Sequence, residues 1–284
     1  EVDGGSYGVR LTSAAGGKLA LTNLDLNGQT QDGLALTRDM NLELSGTIAN
    51  AVGAAIKIPS SSAGAWEFDS LTLTNSGAGV DASGSGSVTM IDCTLAGNTN
   101  DVALSGGTLM TYVEGTIDLN SVAVSGNALF ERARQLDVSV TADTNGMADA
   151  PVKLLDADNK VVDSGITDAT GAVADLLFFT QFIDANGQTS VNLNGYQVVT
   201  IAKVAYTSGS EIDIRYDMKS VPLSDASGNS ASLALTDSID VRTCYMYTSS
   251  SYETMATCSG LGYTGSRTVS GVTEYGYGGL SQSS

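Results

Sequence analysis

Histidine is absent from this chain of 284 residues, and basic residues are scarce. Without an imidazole the chain cannot use Ser-His-Asp or Cys-His catalysis, histidine ligands for zinc or haem, or imidazole acid–base chemistry. The 13 lysines and arginines stand against 31 aspartates and glutamates, which gives a formal charge of −18. A surface this acidic repels phosphate backbones and anionic lipid headgroups, so nucleic acid is not an expected partner.

Long apolar runs are missing as well. No stretch of about 18 apolar residues occurs, so membrane insertion is not expected. Charged residues make up 15% of the chain, yet hydrophobic residues reach 42%, which separates it from disordered acidic tails. Glycine is abundant, with 33 residues, and the surface is rich in Ser, Thr and Asn but poor in lysine. This composition favours an extracellular or cell-surface protein.

Cysteine is rare, with three residues in the whole chain. Cys244 and Cys258 bracket a short polar loop, a spacing that suits a hairpin disulfide in an oxidising compartment. Two unpaired thiols fit the same spacing, so the pairing stays open. Cys93 lies within an apolar pattern and is expected to be a buried small hydrophobe.

A repeat organises the first half of the chain. Its unit is two apolar residues two apart, a two-residue break, two more apolar residues, and then Gly or Asn. The clearest copies begin at Leu19, Trp66, Val88 and Ile117, and a poorer copy begins at Leu42. The period of two predicts strands with one face inward. The break turns the chain at a corner, and the Gly or Asn supplies left-handed backbone at the next corner.

A third apolar pair follows most copies, so that each coil offers three short strands. These third pairs are Leu34/Leu36, Ile56/Ile58, Val80 and Val102/Leu104. The chain here resembles the right-handed parallel β-helix repeat family, most clearly in the phrase from Met90 to Asn98. The resemblance covers about residues 1–130 and implies a short right-handed parallel β-helix.

The first coil is expected to begin partway through a turn. Gly8-Val9-Arg10-Leu11 matches the third-strand phrase that begins at Gly33. An uncovered β-helix end is an exposed edge. Either residues 1–15 fold over this end, or another chain stacks on it at Val9 and Leu11.

The pattern changes after about residue 134. Short apolar strands alternate with Asp, Asn and Gly turns, which is typical of an antiparallel β-sandwich. Residues 136–222, with the phrase APVKLLDADNKVVDSGITDATGAV from Ala150 to Val173, resemble carboxypeptidase-regulatory-like or immunoglobulin-like modules. The predicted fold is therefore all-β, with a β-helix over 1–134, a β-sandwich over 135–239 and a Tyr/Gly/Ser-rich segment over 240–284.

The last segment is rich in tyrosine, a residue that provides large contact area at low entropic cost. These tyrosines suit docking onto another surface, or packing over the chain's own sandwich. They are Tyr245, Tyr247, Tyr252, Tyr263, Tyr275 and Tyr277.

Acidic residues in the coils do not share one repeat position. Catalysis by clustered carboxylates is therefore not expected, and the chain is not predicted to be an enzyme. Calcium is the one cofactor with a case, because Asp156, Asp158 and Asn159 offer oxygen ligands on one turn. Such turns also hydrogen-bond their own backbone, and the Gly and Glu of a helix–loop–helix calcium site are missing.

These features favour a structural subunit of an extracellular filament, sheath or surface layer. The expected partners are identical subunits, which assemble head to tail through exposed β edges into a homopolymer. The alternative is a carbohydrate-active β-helix enzyme, or a glycan-binding adhesin or tail-fibre module with surface glycans as partners.

Overall fold

A computed structural model describes most of the chain, namely residues 2–3, 5–11, 18–36, 41–61, 63–207, 211–239, 243–246, 251–254, 265–269 and 272–277. Nearly all of its regular structure is β, which confirms the predicted fold class. Its two helices are single 3₁₀ turns, Leu119–Ser121 and Leu193–Gly195. Within the described residues, no helix is long and apolar enough to cross a bilayer.

The described chain divides into two compact units. The first comprises Glu1–Leu136, Leu177–Leu193 and Leu223–Asn229. The second comprises Asp137–Leu176, Asn194–Pro222 and Ser230–Ser284. Two segments that the sequence pattern groups with the sandwich, 177–193 and 223–229, thus belong to the first unit.

The first unit is a parallel β-solenoid of about five turns, as the repeat predicts. Two of its sheets are entirely parallel. Sheet I contains, in spatial order, Val2–Asp3, Lys18–Asn27, Asn41–Ala49, Leu71–Thr74 and Thr94–Ala96. Sheet II contains, in the same sense, Val9–Leu11, Leu34–Leu36, Ala54–Ile58, Ala78–Ala82, Asn100–Leu104 and Val122–Val124.

The third side of the solenoid, sheet III, begins with three parallel strands, Ala65–Asp69, Ser87–Ile91 and Leu109–Val113. The first part of Leu129–Ala142 pairs next in parallel. The end of Ala172–Asp184 and its hairpin partner Gly187–Ser190 complete this sheet within the unit.

Left-handed backbone turns the corners where the repeat predicts it. Gly28, Asn75, Gly97 and Gly126, which follow the apolar pairs, have φ values of 72°, 53°, 69° and 67°. The second residue of three two-residue breaks is also left-handed: Asn23, Ser70 and Asp92 have φ values of 51–56°. The corners stack like the strands, because the Ser70 N–H donates to the Ile91 carbonyl oxygen at 2.9 Å.

The solenoid interior is a continuous apolar core built by register. In sheet II, Leu34, Ile56, Val80 and Val102 form one buried column, since they pair strand to strand. Trp66, Val88, Met110 and Phe130 form another in sheet III. Each strand alone would leave its apolar face in water, so the coils stabilise one another by stacking.

One repeat copy lies out of phase with its prediction. The pattern aligns Ile117 and Val122 with the copy that begins at Trp66. In the structure Val122 instead pairs with Val102 in sheet II, and Thr116 bridges to Thr94 of sheet I. Leu119 begins a 3₁₀ turn rather than continuing a strand, because the Asp118 side chain accepts the Asn120 N–H and closes a tight turn.

The second unit carries the antiparallel structure that the sequence predicts. Its sheet IV contains, in spatial order, Val161–Ile166, Pro151–Leu155, Gln197–Thr207, Glu211–Ser220 and Asp237–Ile239. The end of Leu129–Ala142 lies in this unit and pairs with Asn145–Gly146 and with Asn229–Ala234. Sheet V contains Ser251–Thr254, Thr243–Met246, Val272–Tyr277 and Gly265–Val269.

Candidate functional site

The predicted assembly residues Val9 and Leu11 lie on the outermost strand of sheet II. They pair in register with Leu34 and Leu36, and the Val9 N–H donates to the Gly33 carbonyl oxygen at 2.9 Å. Leu34 and Leu36 are fully buried, whereas Val9 and Leu11 are half-buried and pack against the same core. The column that contains Leu34, and the neighbouring column that contains Leu36, Ile58, Ala82 and Leu104, therefore reach the first coil with part of their surface in water.

The described part of residues 1–15 extends the coil rather than crossing its end. Val2 and Asp3 pair in parallel with Leu26 and Asn27 at the edge of sheet I. The Gly5 carbonyl oxygen then accepts the Thr30 N–H at 2.8 Å. These strands make a partial coil, and they present the next layer of the solenoid pattern at this end.

Arg10 is the exposed residue between Val9 and Leu11. Its guanidinium carbon lies 5.2 Å from the centroid of the Tyr7 ring. A cation over an aromatic face at this distance is attracted to the ring quadrupole. The contact holds Arg10 on the outer face of the strand, away from the apolar columns.

The opposite edge of sheet II repeats the arrangement. Val122–Val124 is the outermost strand there and pairs with Val102 and Leu104. Val122 and Val124 are half-buried against the core, while Val102 and Leu104 are buried. The same two apolar columns thus end at both edges of one sheet.

A buried charge cluster in the first unit escaped the sequence reasoning. The Arg134 guanidinium lies 3.1 Å from a Glu114 carboxylate oxygen, and its Nε donates to the Asp225 carbonyl oxygen at 3.0 Å. The other Glu114 oxygen accepts the Gln135 N–H at 2.8 Å. Every charged group here has a partner of opposite sign, so the cluster fastens segment 223–229 to the last coil.

Arg132 adds a second cation to this cluster. It pairs in register with Tyr112, so it occupies the inward column that Phe68 and Met90 fill in earlier coils. Its Nε lies 3.3 Å from an Asp225 carboxylate oxygen. Burial, and then the nearby Arg134 charge, lower the pKa of Arg132 from its ordinary value. One feature of the sequence indicates this cluster: an arginine stands at an alternating strand position where the repeat places core-facing apolar residues.

Cys93 is buried, as expected, and its environment makes the thiol unreactive. Its sulfur lies 3.3 Å from the Ile91 carbonyl oxygen. Desolvation raises the pKa of Cys93 to about 11, so the reactive thiolate is scarce at neutral pH. The neighbouring Tyr112 hydroxyl contacts the carbonyl oxygens of Cys93 and Thr116, and burial raises the pKa of this phenol as well.

The predicted calcium turn hydrogen-bonds itself. One Asp156 carboxylate oxygen accepts the N–H groups of Asp158 and Lys160, each at 2.9 Å. Asn159 takes left-handed backbone with φ 61°, and Asp158 and Asn159 are exposed. These contacts suit the self-capping alternative, and they do not test calcium binding. Across the described residues, no three or more Asp, Glu, His or Cys side chains gather where they could hold a metal.

The predicted tyrosine surface and disulfide fall largely on undescribed parts of the chain. Tyr247, Tyr263 and Cys258 lie outside the described residues. Tyr245, Tyr252, Tyr275, Tyr277 and Cys244 are described only as backbone in sheet V, where Tyr245 pairs with Tyr252 and Cys244 with Tyr275. The docking role and the Cys244–Cys258 bridge therefore stay predictions.

Comparison with protein-family models, with curated proteins and with solved structures finds no match to this chain.

Proposed function

We propose that this chain is a structural subunit of an extracellular filament, sheath or surface layer that assembles head to tail. The observation that carries the proposal is the partial burial of the apolar side chains on the two edge strands of sheet II. Val9 and Leu11 at one edge, and Val122 and Val124 at the other, continue buried apolar columns yet are only partly buried themselves. Covering them with a neighbour removes apolar surface from water, at about 25 cal/mol per Å².

The proposed contact is strand addition at the first coil. A strand from a neighbour's sandwich or tail that pairs with Val9–Leu11 would gain main-chain hydrogen bonds and cover the apolar columns. The two surfaces of such a contact differ, so a joined pair of subunits still has one free surface of each kind. A contact of this kind that does not close into a ring produces an open fibre.

The finer parts of the proposal rest on the sequence. The antiparallel unit is proposed to be a carboxypeptidase-regulatory-like or immunoglobulin-like β-sandwich, and the solenoid to be right-handed. Alternating burial supports the sandwich. Val152 and Leu154 of sheet IV are buried, and so are Val138 and Val140 near the end of the strand Leu129–Ala142. The acidic, lysine-poor composition supports an extracellular or cell-surface site.

Electron microscopy of the purified chain over a concentration series tests the proposal. Filaments or sheets are expected from the unsubstituted chain, and Val9→Asp is expected to prevent them because it places a charge in the edge contact. Val52→Asp is the matched control, since Val52 is 71% exposed at a solenoid corner. Circular dichroism melting verifies that both variants fold.

A polysaccharide degradation assay run on the same material tests the alternative function. Single particles at every concentration, together with cleavage of a glycan, would replace the structural proposal with the carbohydrate-active one. Single particles that bind a glycan without cleaving it would favour the adhesin module.

A further inference from the structure

The outward face of sheet IV in the second unit carries an apolar surface that is separate from the solenoid edges. One row crosses four adjacent strands: Ile166 pairs with Pro151, and Ile201 pairs with Tyr216, while Val152 next to Pro151 pairs with Thr200. The row therefore runs Ile166, Pro151, Ile201, Tyr216.

A second row lies beside the first on the same face. Lys153 pairs with Ser164 on one side and with Val199 on the other, and Val199 pairs with Met218. The residues between the rows, such as Val152 and Thr200, are buried and point the opposite way. The two rows together are called the sheet IV face.

The large side chains of this face are exposed to an unusual degree. Ile166 is 68% exposed, Met218 55%, Ile201 51% and Tyr216 40%. Single exposed apolar residues are ordinary on a protein surface, but adjacent ones across four strands form a patch. A patch of this kind is a candidate contact surface.

Charge on this face differs from that of the whole chain. Its two rows contain one charged residue, Lys153, and the first row continues to Asp237 on the fifth strand, where Tyr216 pairs with Asp237, so the formal charge of the rows is zero. The chain as a whole carries a formal charge of −18, so two copies repel each other over most of their surfaces. Repulsion is weakest where a surface carries no net charge, which makes this face the favoured place for two copies to approach.

We propose that the sheet IV face binds the same face of a second copy, as a lateral contact separate from the head-to-tail contact. The face is a row of antiparallel strands, and two such faces pack against each other about 10 Å apart. The contact is two-fold, so residues on one copy meet the equivalent patch on the other. In a filament this contact would join neighbouring rows of subunits side by side, into pairs or layers.

The size of the face predicts a weak contact. Four strands about 4.8 Å apart and two rows about 7 Å apart give roughly 300 Å² on each copy. Two copies then bury roughly 600 Å², below the ~1,200–2,000 Å² of stable interfaces. Free subunits are therefore expected to pair only at high concentration, whereas subunits already held along a filament pair more readily by effective concentration.

Sedimentation velocity on the Val9→Asp variant isolates the lateral contact from end-to-end growth. A monomer–dimer equilibrium is expected at high protein concentration. Raising the salt concentration is expected to strengthen the dimer, because salt screens the repulsion between acidic copies. A dimer held by ion pairs would instead weaken with salt.

The double variant Ile201→Thr/Met218→Thr tests the residues, in the same Val9→Asp background. Threonine keeps the strand preference and removes apolar surface, so dimerisation is expected to weaken at least about tenfold while melting is unchanged. Val52→Thr is the matched control and is expected to dimerise like its parent. Absence of a dimer, or a dimer that the double variant leaves intact, would overturn the lateral contact.

The two proposals fail separately. If the unsubstituted chain forms no filaments but still dimerises through Ile201 and Met218, head-to-tail assembly is wrong and the lateral contact stands. If filaments form but the Val9→Asp variant shows no dimer, the lateral contact is wrong and the filament stands.

Discussion

Removal of Arg134 should destabilise the solenoid far more than removal of a surface lysine that also forms an ion pair. Arg134 and Glu114 have side chains only 6% and 8% exposed, and their charged atoms lie 3.1 Å apart. In the variant Arg134→Met, Glu114 would keep the Gln135 N–H at 2.8 Å but lose its counter-charge inside the protein. A buried charge that loses its partner costs about 3–5 kcal/mol.

Lys57→Met provides the matched control. Lys57 pairs with Asp81 on the outward face of sheet II, where the two side chains are 36% and 33% exposed. Solvent screens this pair, so its loss should cost about 0–1 kcal/mol. The double variant Arg134→Met/Glu114→Gln should recover part of the lost stability, because it removes the stranded charge.

Urea unfolding followed by tryptophan fluorescence measures these differences. The chain contains one tryptophan, Trp66, which is buried in sheet III of the first unit, so its signal reports on the solenoid. Equal losses in the free energy of unfolding for Arg134→Met and Lys57→Met would show that the buried pair is worth no more than the exposed one. No recovery from Glu114→Gln in the Arg134→Met background would show that the loss does not come from the unpaired Glu114 charge.

Four further predictions follow from single sites. In urea unfolding, Gly46→Ala should lower the free energy of unfolding by about 3 kcal/mol or more, and Gly187→Ala by about 1–2 kcal/mol. Both glycines have φ 126°, but of the two only Gly46 would place a Cβ 2.2 Å from a backbone oxygen. Equal costs would contradict this steric explanation. Burial raises the pKa of Glu131, so the native state holds its proton more tightly and wild-type stability falls as pH rises from the ordinary carboxyl pKa through the raised one. Glu131→Gln should therefore have a higher free energy of unfolding than wild type at pH values above the raised pKa, and an equal one below the ordinary carboxyl pKa. A Glu131→Gln variant that is more stable than wild type only at low pH would contradict this. Mass spectrometry after iodoacetamide treatment at neutral pH should find Cys93 unmodified in the native state and modified in urea, and native labelling would show that its burial is incomplete. Melting curves in calcium and in chelator should coincide for the wild type, because the Asp156 carboxylate already serves its own turn; a calcium-dependent rise that Asp156→Ala removes would instead establish the metal site.

The repeat and its corners could be predicted because burial imposes a period on the sequence. Leu34 and Ile56 recur as third pairs since each must face the same core, and Gly28 and Asn75 follow because the corner requires left-handed backbone. The phase of the copy around Ile117 and Val122 could not be predicted. Each corner separates two apolar pairs by a similar break, so the spacing does not say which pair of sides a copy spans.

The charge cluster and the sheet IV face depend on contacts that the local sequence does not encode. Asp225 contacts Arg134 across 91 positions of sequence, and no sequence pattern near either residue indicates this contact. In the strand Gln197–Thr207, both Val198 and Val199 are apolar, which is the pattern of a strand buried on two sides. Only the fold shows that Ile201 on one side remains exposed.

Sedimentation of the unsubstituted chain from dilute solution up to its solubility limit tests head-to-tail assembly most directly. Continuous growth into ever larger species, abolished by Val9→Asp and retained by Val52→Asp, is the predicted result. A single boundary at the mass of one chain, unchanged at every concentration, would contradict the account.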